Sequence, residues 1–370
     1  MKQINIYMCG PTLFDYVHIG CYRIFILADI IDKHFSSLGY IVNHGINIMD
    51  LDDRIISCYQ ENGAFNINKF YKSLIQEFKN LNIKYPNCET KTTECIDDLK
   101  KTIDFYLKNE MAYVTNSGVY LNLNKIKNYG ELTNLNIKKN INNTSTGDKQ
   151  NISDPSLWRF TDSAFSYKYL GKQGRPGWDI QCANCCITKL DSKVNYQFAG
   201  FNDVTHYENE KVLIENSYNW NGYSSKWFLT KYLNFVADTP HFYMKDYINE
   251  YSRQVIKYAI YSISYSSTFD LTKNHFLNSI KDIEKINAFY DKLEKINNYS
   301  CTSNDEINKI LSNFENMDCL IQDLKVPLIL GNLFKLIRCV NRNQFQISKY
   351  QAKKIINIIQ YLNYRLDFLY

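Results

Sequence analysis

Residues 5–23 read NIYMCGPTLFDYVHIGCYR, Asn5 to Arg23, and the reading of this stretch decides the fold. The apolar run Ile4, Ile6 and Met8 leads into the small-residue turn Cys9-Gly10-Pro11-Thr12 and reads as a buried strand. His18-Ile19-Gly20 then opens a segment in which Ile24, Phe25, Leu27, Ile30, Ile31 and Phe35 recur at the spacing of a helix packed on a sheet. Gly39 stops that helix, and residues 40–48 resume as a strand. In open parallel sheets built from such units, ligands sit at the carboxyl ends of the strands, near helix N-termini. Cys9, Gly10, Thr12, His18 and Gly20 all fall at that end, with the composition of a pocket.

The 370 residues allow two or three domains and an ample core. With 45% hydrophobic and 22% charged residues, the composition is that of an ordinary globular protein. No run approaches the roughly 20 apolar residues of a membrane span. Met1-Lys2-Gln3 runs straight into the first strand, so the expected location is cytoplasmic, with no membrane partner. Eleven cysteines scattered over an enzyme-sized chain are expected to be mostly reduced and buried. A formal charge of +5 is too mild to argue for nucleic acid by itself.

Residues 43–56, NHGINIMDLDDRII, finish the second strand and turn into an acidic loop. Amphipathic helices follow near 66–83 and 93–109, then a hairpin over 111–123 with Asn116-Ser117-Gly118 as its turn. Residues 134–151 are polar and read as a linker. Gly174-Arg175-Pro176-Gly177-Trp178 reads as a loop before Asp179-Ile180-Gln181-Cys182, and a helix begins at His206 and runs to about Ser217. Residues 227–235 read as a short loop, and everything beyond Asp246 as helix: 246–262, 273–297, 303–315, 325–342 and 347–368.

His206 and Glu210 are four residues apart and share one helix face. That pair is either a solvated contact or half of a zinc site, which would need further ligands; Cys9 and Cys182 are the candidates. Cys9 has its own alternative as a buried strand-end thiol.

Taken together and in order, MCGPTLFDYVHIGCYR, INIMDLDDRII, GRPGWDIQC and HYENE resemble the cysteinyl-tRNA synthetases, class I aminoacyl-tRNA synthetases. The resemblance runs from Tyr7 to about Leu369. It implies an α/β fold: a Rossmann-type parallel-sheet catalytic domain over 1–245, interrupted by an insertion at about 57–175, followed by an all-α helical-bundle domain over 246–370. It implies one Zn2+ per chain on Cys9, Cys182, His206 and Glu210, with Gly10, Thr12 and Trp178 at the amino acid substrate. ATP with Mg2+, L-cysteine and tRNA(Cys) are the implied partners of a monomeric ligase. Such a metal would separate cysteine from the isosteric serine by bonding a thiolate far better than a hydroxyl, which a pocket built on volume cannot do.

His18-Ile19-Gly20-Cys21 matches the family's HIGH-type signature, with Cys21 as a departure; His18 would donate to the phosphates of ATP and Gly20 would admit adenine. Phe228-Leu229-Thr230-Lys231-Tyr232-Leu233 is the match to the KMSKS loop, with Phe228 in place of its first lysine, so Lys231 carries the phosphate contact and Lys226 is the nearest substitute. Losing one such charge-assisted contact costs about 1.5–3 kcal/mol, so slow catalysis is expected rather than none. Gly200 belongs to the family's nucleotide-binding stretch, in which Asn202 or Asp203 would meet the ribose; Met49 replaces an expected threonine. From Lys325 onward, eight Lys/Arg residues face Asp367 as the one acid, a surface suited to tRNA phosphates or a solvated basic face. The family's small anticodon-recognition domain has no counterpart before Tyr370. Two other readings share these features: a related ligase joining cysteine to a small amine acceptor, and a catalytically silent paralog that binds RNA or senses cysteine.

Overall fold

The structure, a computed structural model, describes residues 2–63, 65–132, 147–163, 165–201, 204–220, 222, 225–296, 303–343 and 346–370. Strand β1 (Gln3–Met8), helix α1 (Ile19–Ser37) and strand β2 (Ile41–Ile48) form the expected opening unit. Helices α2 (Asp53–Glu61) and α3 (Ile67–Asn80), strand β3 (Cys88–Lys91) and helix α4 (Ile96–Lys108) follow. Strands β4 (Ala112–Val114), β5 (Gly118–Leu121), β6 (Ser156–Phe160), β7 (Tyr167–Tyr169) and β8 (Lys172–Pro176) build an antiparallel sheet in the order β4-β5-β6-β8-β7. The chain then returns through α5 (Trp178–Lys189), β9 (Tyr196–Gly200), α6 (Val204–Glu215) and β10 (Lys226–Thr230) to a parallel sheet ordered β10-β9-β1-β2-β3. The remainder is mostly helical: β11 (Leu233–Asn234), α7 (Met244–Glu250), α8 (Arg253–Tyr261), β12 (Phe269–Asp270), α9 (Lys273–Glu294), α10 (Asp305–Leu311), α11 (Met317–Gln322), α12 (Val326–Arg342) and α13 (Lys349–Leu366). Among the described residues no helix is long and apolar enough to cross a membrane.

β1 lies between β2 and β9, and its two neighbours are reached by connections that leave in opposite directions. The carboxyl ends of β1 and β9 therefore flank the crevice where a parallel sheet takes its ligand. The amide of Cys9 donates to Phe198 O at 3.1 Å and fixes the first turn on that crevice.

Helix α1 is buried nearly all round, because the sheet covers one side and the helical tail the other. Its polar residues are consequently paired inside the protein. Arg23, 1% exposed, donates to the carbonyls of Lys231, Ser264 (2.7 Å) and Ser267 (3.0 Å). Asp29 meets Lys33 at 2.7 Å and the buried Lys257 at 3.5 Å, and Lys257 also reaches Asp367 at 3.4 Å. Arg365 of α13 donates to His34 Nδ1 at 3.3 Å. Burial and the Arg365 charge push His34 down to about 4, so it stays neutral.

Several local expectations are corrected. The acidic stretch after β2 is a helix start, with Asp52 capping α2 by accepting from Arg54 N at 2.9 Å. Residues 174–178 split between β8 and α5, which puts Cys182 inside a helix. The segment 246–262 breaks at Tyr251-Ser252, where the Ser252 hydroxyl caps α8, and Phe269–Asp270 pairs as a strand with Leu233–Asn234. Residues 227–235 are not simply a loop. Lys226–Thr230 pairs along its length with β9, and Phe228 is wholly buried, its ring stacked 5.1 Å from Phe198. Most of the expected linker, and Asn202 and Asp203, lie outside the described residues; at its described end Asp148 accepts from Ser117 N at 2.8 Å.

Phe228 is thus a core residue of this sheet. Phe228→Lys is expected to destabilise the chain by at least about 3 kcal/mol, since an unpaired ammonium would be buried. Urea unfolding checks this; a variant as stable as its parent would contradict the position assigned to Phe228.

Candidate functional site

The turn after β1 passes hard against β2. A Cβ on Gly10 would stand 1.6 Å from Asn47 O, so only glycine allows the turn. Gly10 N donates to Asn47 Oδ1 at 2.9 Å, and Asn47 Nδ2 donates to Cys182 Sγ at 3.2 Å, so one amide links the turn to α5. Gly177, just before α5, is equally constrained, with Ser156 O 1.7 Å from where its Cβ would be. That contact places the start of α5, and hence Trp178 and Cys182, against the antiparallel sheet.

These constraints bring Cys9, Cys182, His206 and Glu210 together, with one potential ligand atom from each within 4.8 Å of all the others. Cys182 and Glu210 are fully buried and His206 is 7% exposed. His206 Nδ1 donates to Asp179 at 2.5 Å, and Asn209 holds the other Asp179 oxygen at 3.0 Å. The bond sets the ring so that Nε2 faces Glu210, 3.9 Å away. Neither oxygen of Glu210 accepts a hydrogen bond among the described residues. A buried carboxylate without donors is costly unless a cation meets it.

The charges are mutually dependent. A hydrogen bond from Cys182 holds the Cys9 thiol down to about 5 against burial, and His206 adds to this. The same bond, with burial, raises Cys182. Burial opposes a charged His206, but Asp179 and Cys9 outweigh it and raise its pKa. Burial and the neighbouring Cys9 charge raise Glu210. Two sulfurs, an imidazole and a carboxylate form a donor set suited to zinc, and the orphaned Glu210 oxygens fit such an ion.

Beside this cluster opens a cavity of about 630 Å³ whose wall includes Cys9, Gly10, Thr12, His18, Trp178 and His206. Trp178, 43% exposed, stands at its rim with its ring 5.3 Å from that of His206. Met49 lies with its sulfur 3.8 Å from the Thr12 hydroxyl and 4.0 Å from Cys182 Sγ. His18 stands at the position before α1 without capping it by a side-chain hydrogen bond; its ring packs on Phe242 and its Nε2 lies 3.3 Å from Cys21 Sγ, while Nδ1 has no partner among the described residues. Burial lowers its pKa and favours the neutral ring.

The other expected nucleotide residues lie as follows. Gly20 makes room for the His18 ring, whose Nδ1 would be 2.8 Å from a Cβ there. Gly200 ends β9, its amide 3.3 Å from the Tyr207 hydroxyl. Lys231 lies off the cavity wall, its ammonium 3.9 Å over the Phe201 ring. Lys226 is no substitute, being paired with Asp323. Asn47, Arg54 and Asp179 belong to the site and escaped the sequence reading, because an amide, an exposed cation and a carboxylate carry no spacing signal of their own.

The family described as tRNA synthetases class I (C) catalytic domain matches residues 1–281. The chain belongs to that family. Its members are ATP-dependent ligases. Two similar curated proteins are the cysteine–tRNA ligase of Brachyspira hyodysenteriae, 27% identical over 98% of this chain and 81% of that protein, and that of Buchnera aphidicola, 28% identical over 92% and 75%. Among solved structures, Mycobacterium tuberculosis methionyl-tRNA synthetase in complex with methionyl-adenylate superposes with a TM-score of 0.70, at 8% identity, over 99% of this chain and 92% of that one. At that identity the likeness is one of fold, and it agrees with the parallel sheet and helical tail of this class I synthetase.

In metal-free protein at about pH 6, Cys9 is expected to react with iodoacetamide before the exposed Cys319, because its thiol is held down to about 5 and it lies on the cavity wall. Peptide mass mapping of the first alkylated cysteine checks this, and earlier labelling of Cys319 would contradict the arrangement of charges.

Proposed function

We propose that the chain is a cytosolic cysteine–tRNA ligase that activates L-cysteine with ATP and Mg2+ and transfers it to tRNA(Cys). The observation that carries this reading is the convergence of Cys9, Cys182, His206 and Glu210 beside the cavity whose wall includes Cys9, His206 and His18. These four residues would hold one zinc ion, which supplies a soft Lewis acid for the substrate's thiolate and leaves serine's hydroxyl unbound. Asp179 keeps the His206 ring oriented. Trp178 would cover the amino acid at the rim. His18, neutral and placed at the N-terminus of a long helix, would donate to the phosphates. Activation of this kind is chiefly positioning and charge neutralisation. The tRNA would run along the basic tail, where α12 and α13 carry most of the lysines and arginines after Lys325.

A second reading has one observation in its favour. With Phe228 in the core and Lys231 over Phe201, no lysine among the described residues reaches the cavity wall. That arrangement suits a silent paralog that binds cysteine or RNA without activating the amino acid.

Purified protein is expected to carry about one zinc per chain, lost in Cys182→Ser, and to support slow cysteine-dependent ATP–pyrophosphate exchange that Cys182→Ser abolishes. Zinc without any exchange would leave the silent reading; exchange without charging of tRNA would point to another acceptor.

A further inference from the structure

Arg54 is the second residue of α2, and the cap made by Asp52 fixes where its side chain leaves the helix. Its Nε pairs with Asp52 at 2.9 Å and its Nη2 donates to the Thr12 hydroxyl at 3.2 Å. The guanidinium carbon lies 4.6 Å from the centre of the Phe14 ring and 5.6 Å from that of Trp178. A flat cation is therefore held in a set orientation on two aromatic faces while its side chain stays 47% exposed at the cavity. Guanidinium has five N–H donors, and two of its nitrogens are engaged here, so donors remain for a ligand.

We infer that Arg54 is the subsite for the carboxylate of the amino acid. The inference rests on the reading of the metal cluster as the place where the substrate's sulfur is held. The Trp178 indole neighbours both groups, its ring 5.3 Å from that of His206 and 5.6 Å from the Arg54 guanidinium carbon. A cysteine whose thiolate is held beside His206 and whose side chain lies along that indole directs its carboxylate, three bonds from the sulfur, toward Arg54. The chemistry fits as well. Among the described residues Arg54 is the one lysine or arginine on the cavity wall, and the guanidinium fork matches a carboxylate with two parallel hydrogen bonds. Among the other wall residues, His18 is held neutral and Asp15 is occupied by Tyr16 N at 2.7 Å and by the Tyr243 hydroxyl. Asp52 moderates the Arg54 charge, so that the carboxylate is oriented without being locked, as an attacking group must be.

Cysteamine, which keeps the thiol and the amine and lacks the carboxylate, separates this role from the others. Binding of L-cysteine and of cysteamine would be measured by calorimetry on zinc-loaded protein, for the parent, Arg54→Met and Arg54→Lys, with zinc content checked in each. The expected result is a loss of about tenfold or more in cysteine affinity in Arg54→Met, a change below about twofold for cysteamine, and partial recovery in Arg54→Lys. Equal losses for both ligands would show that Arg54 only props Trp178, and would overturn the assignment, as would unchanged cysteine binding. If the zinc-loaded parent bound neither ligand, the reading of the metal cluster would fall, and the subsite with it.

Discussion

Glu210 brings its carboxylate to a place that water does not reach and where no described donor bonds either oxygen. A negative charge in that position is tolerable only if it takes up a proton or meets a cation, and the neighbours bear on both. Cys9 is held as thiolate by Cys182, and His206 turns Nε2 inward because Asp179 has taken its other nitrogen. Without an ion, burial and the Cys9 charge favour the protonated carboxyl; with two sulfurs and an imidazole beside it, a bound cation is what would keep it charged. The rest of the site is arranged around that demand: Gly10 and Gly177 permit the close backbone approaches, and Asn47 spans from the turn to Cys182.

The convergence depends on elements far apart in the chain being held rigidly, and α1 is what they share. It starts at His18, packs on the sheet that ends at Cys9, and is clamped from behind by the tail through Lys257 and Arg365. Arg23 extends the clamp to the segment after β10, since its guanidinium holds the carbonyl of Lys231 and those of two serines in the turn after α8. Among the described residues no carboxylate meets this buried guanidinium; it donates to backbone carbonyls and lies over the Phe269 ring. Burial lowers Arg23 to about 10, which still leaves it charged at neutral pH. The helical tail is therefore part of what positions the site as well as a surface that RNA would use.

How much was legible in the sequence follows from which signals are local. The β1–α1–β2 unit declares itself because apolar spacing and the turn residues agree over residues 4–48. The four metal-type residues were identifiable by type, and the fold brings them together. β10 was misread because its pattern is short and its strand character comes from pairing with β9, which lies well upstream in the chain. That Gly20 also makes room for the His18 ring is a contact visible only in three dimensions. Arg54 and Asp179 escaped for the same reason: their partners, Thr12 and His206, lie 42 and 27 residues away.

The central claim is that the four converging residues hold a metal and that this metal selects the substrate by its sulfur. Zinc-edge X-ray absorption on the zinc-loaded chain tests it most directly, by counting sulfur neighbours before and after amino acid is added. The account predicts two sulfurs, from Cys9 and Cys182, rising to three with L-cysteine and staying at two with L-serine. A count that L-cysteine leaves unchanged, in protein shown to bind it, would contradict the account.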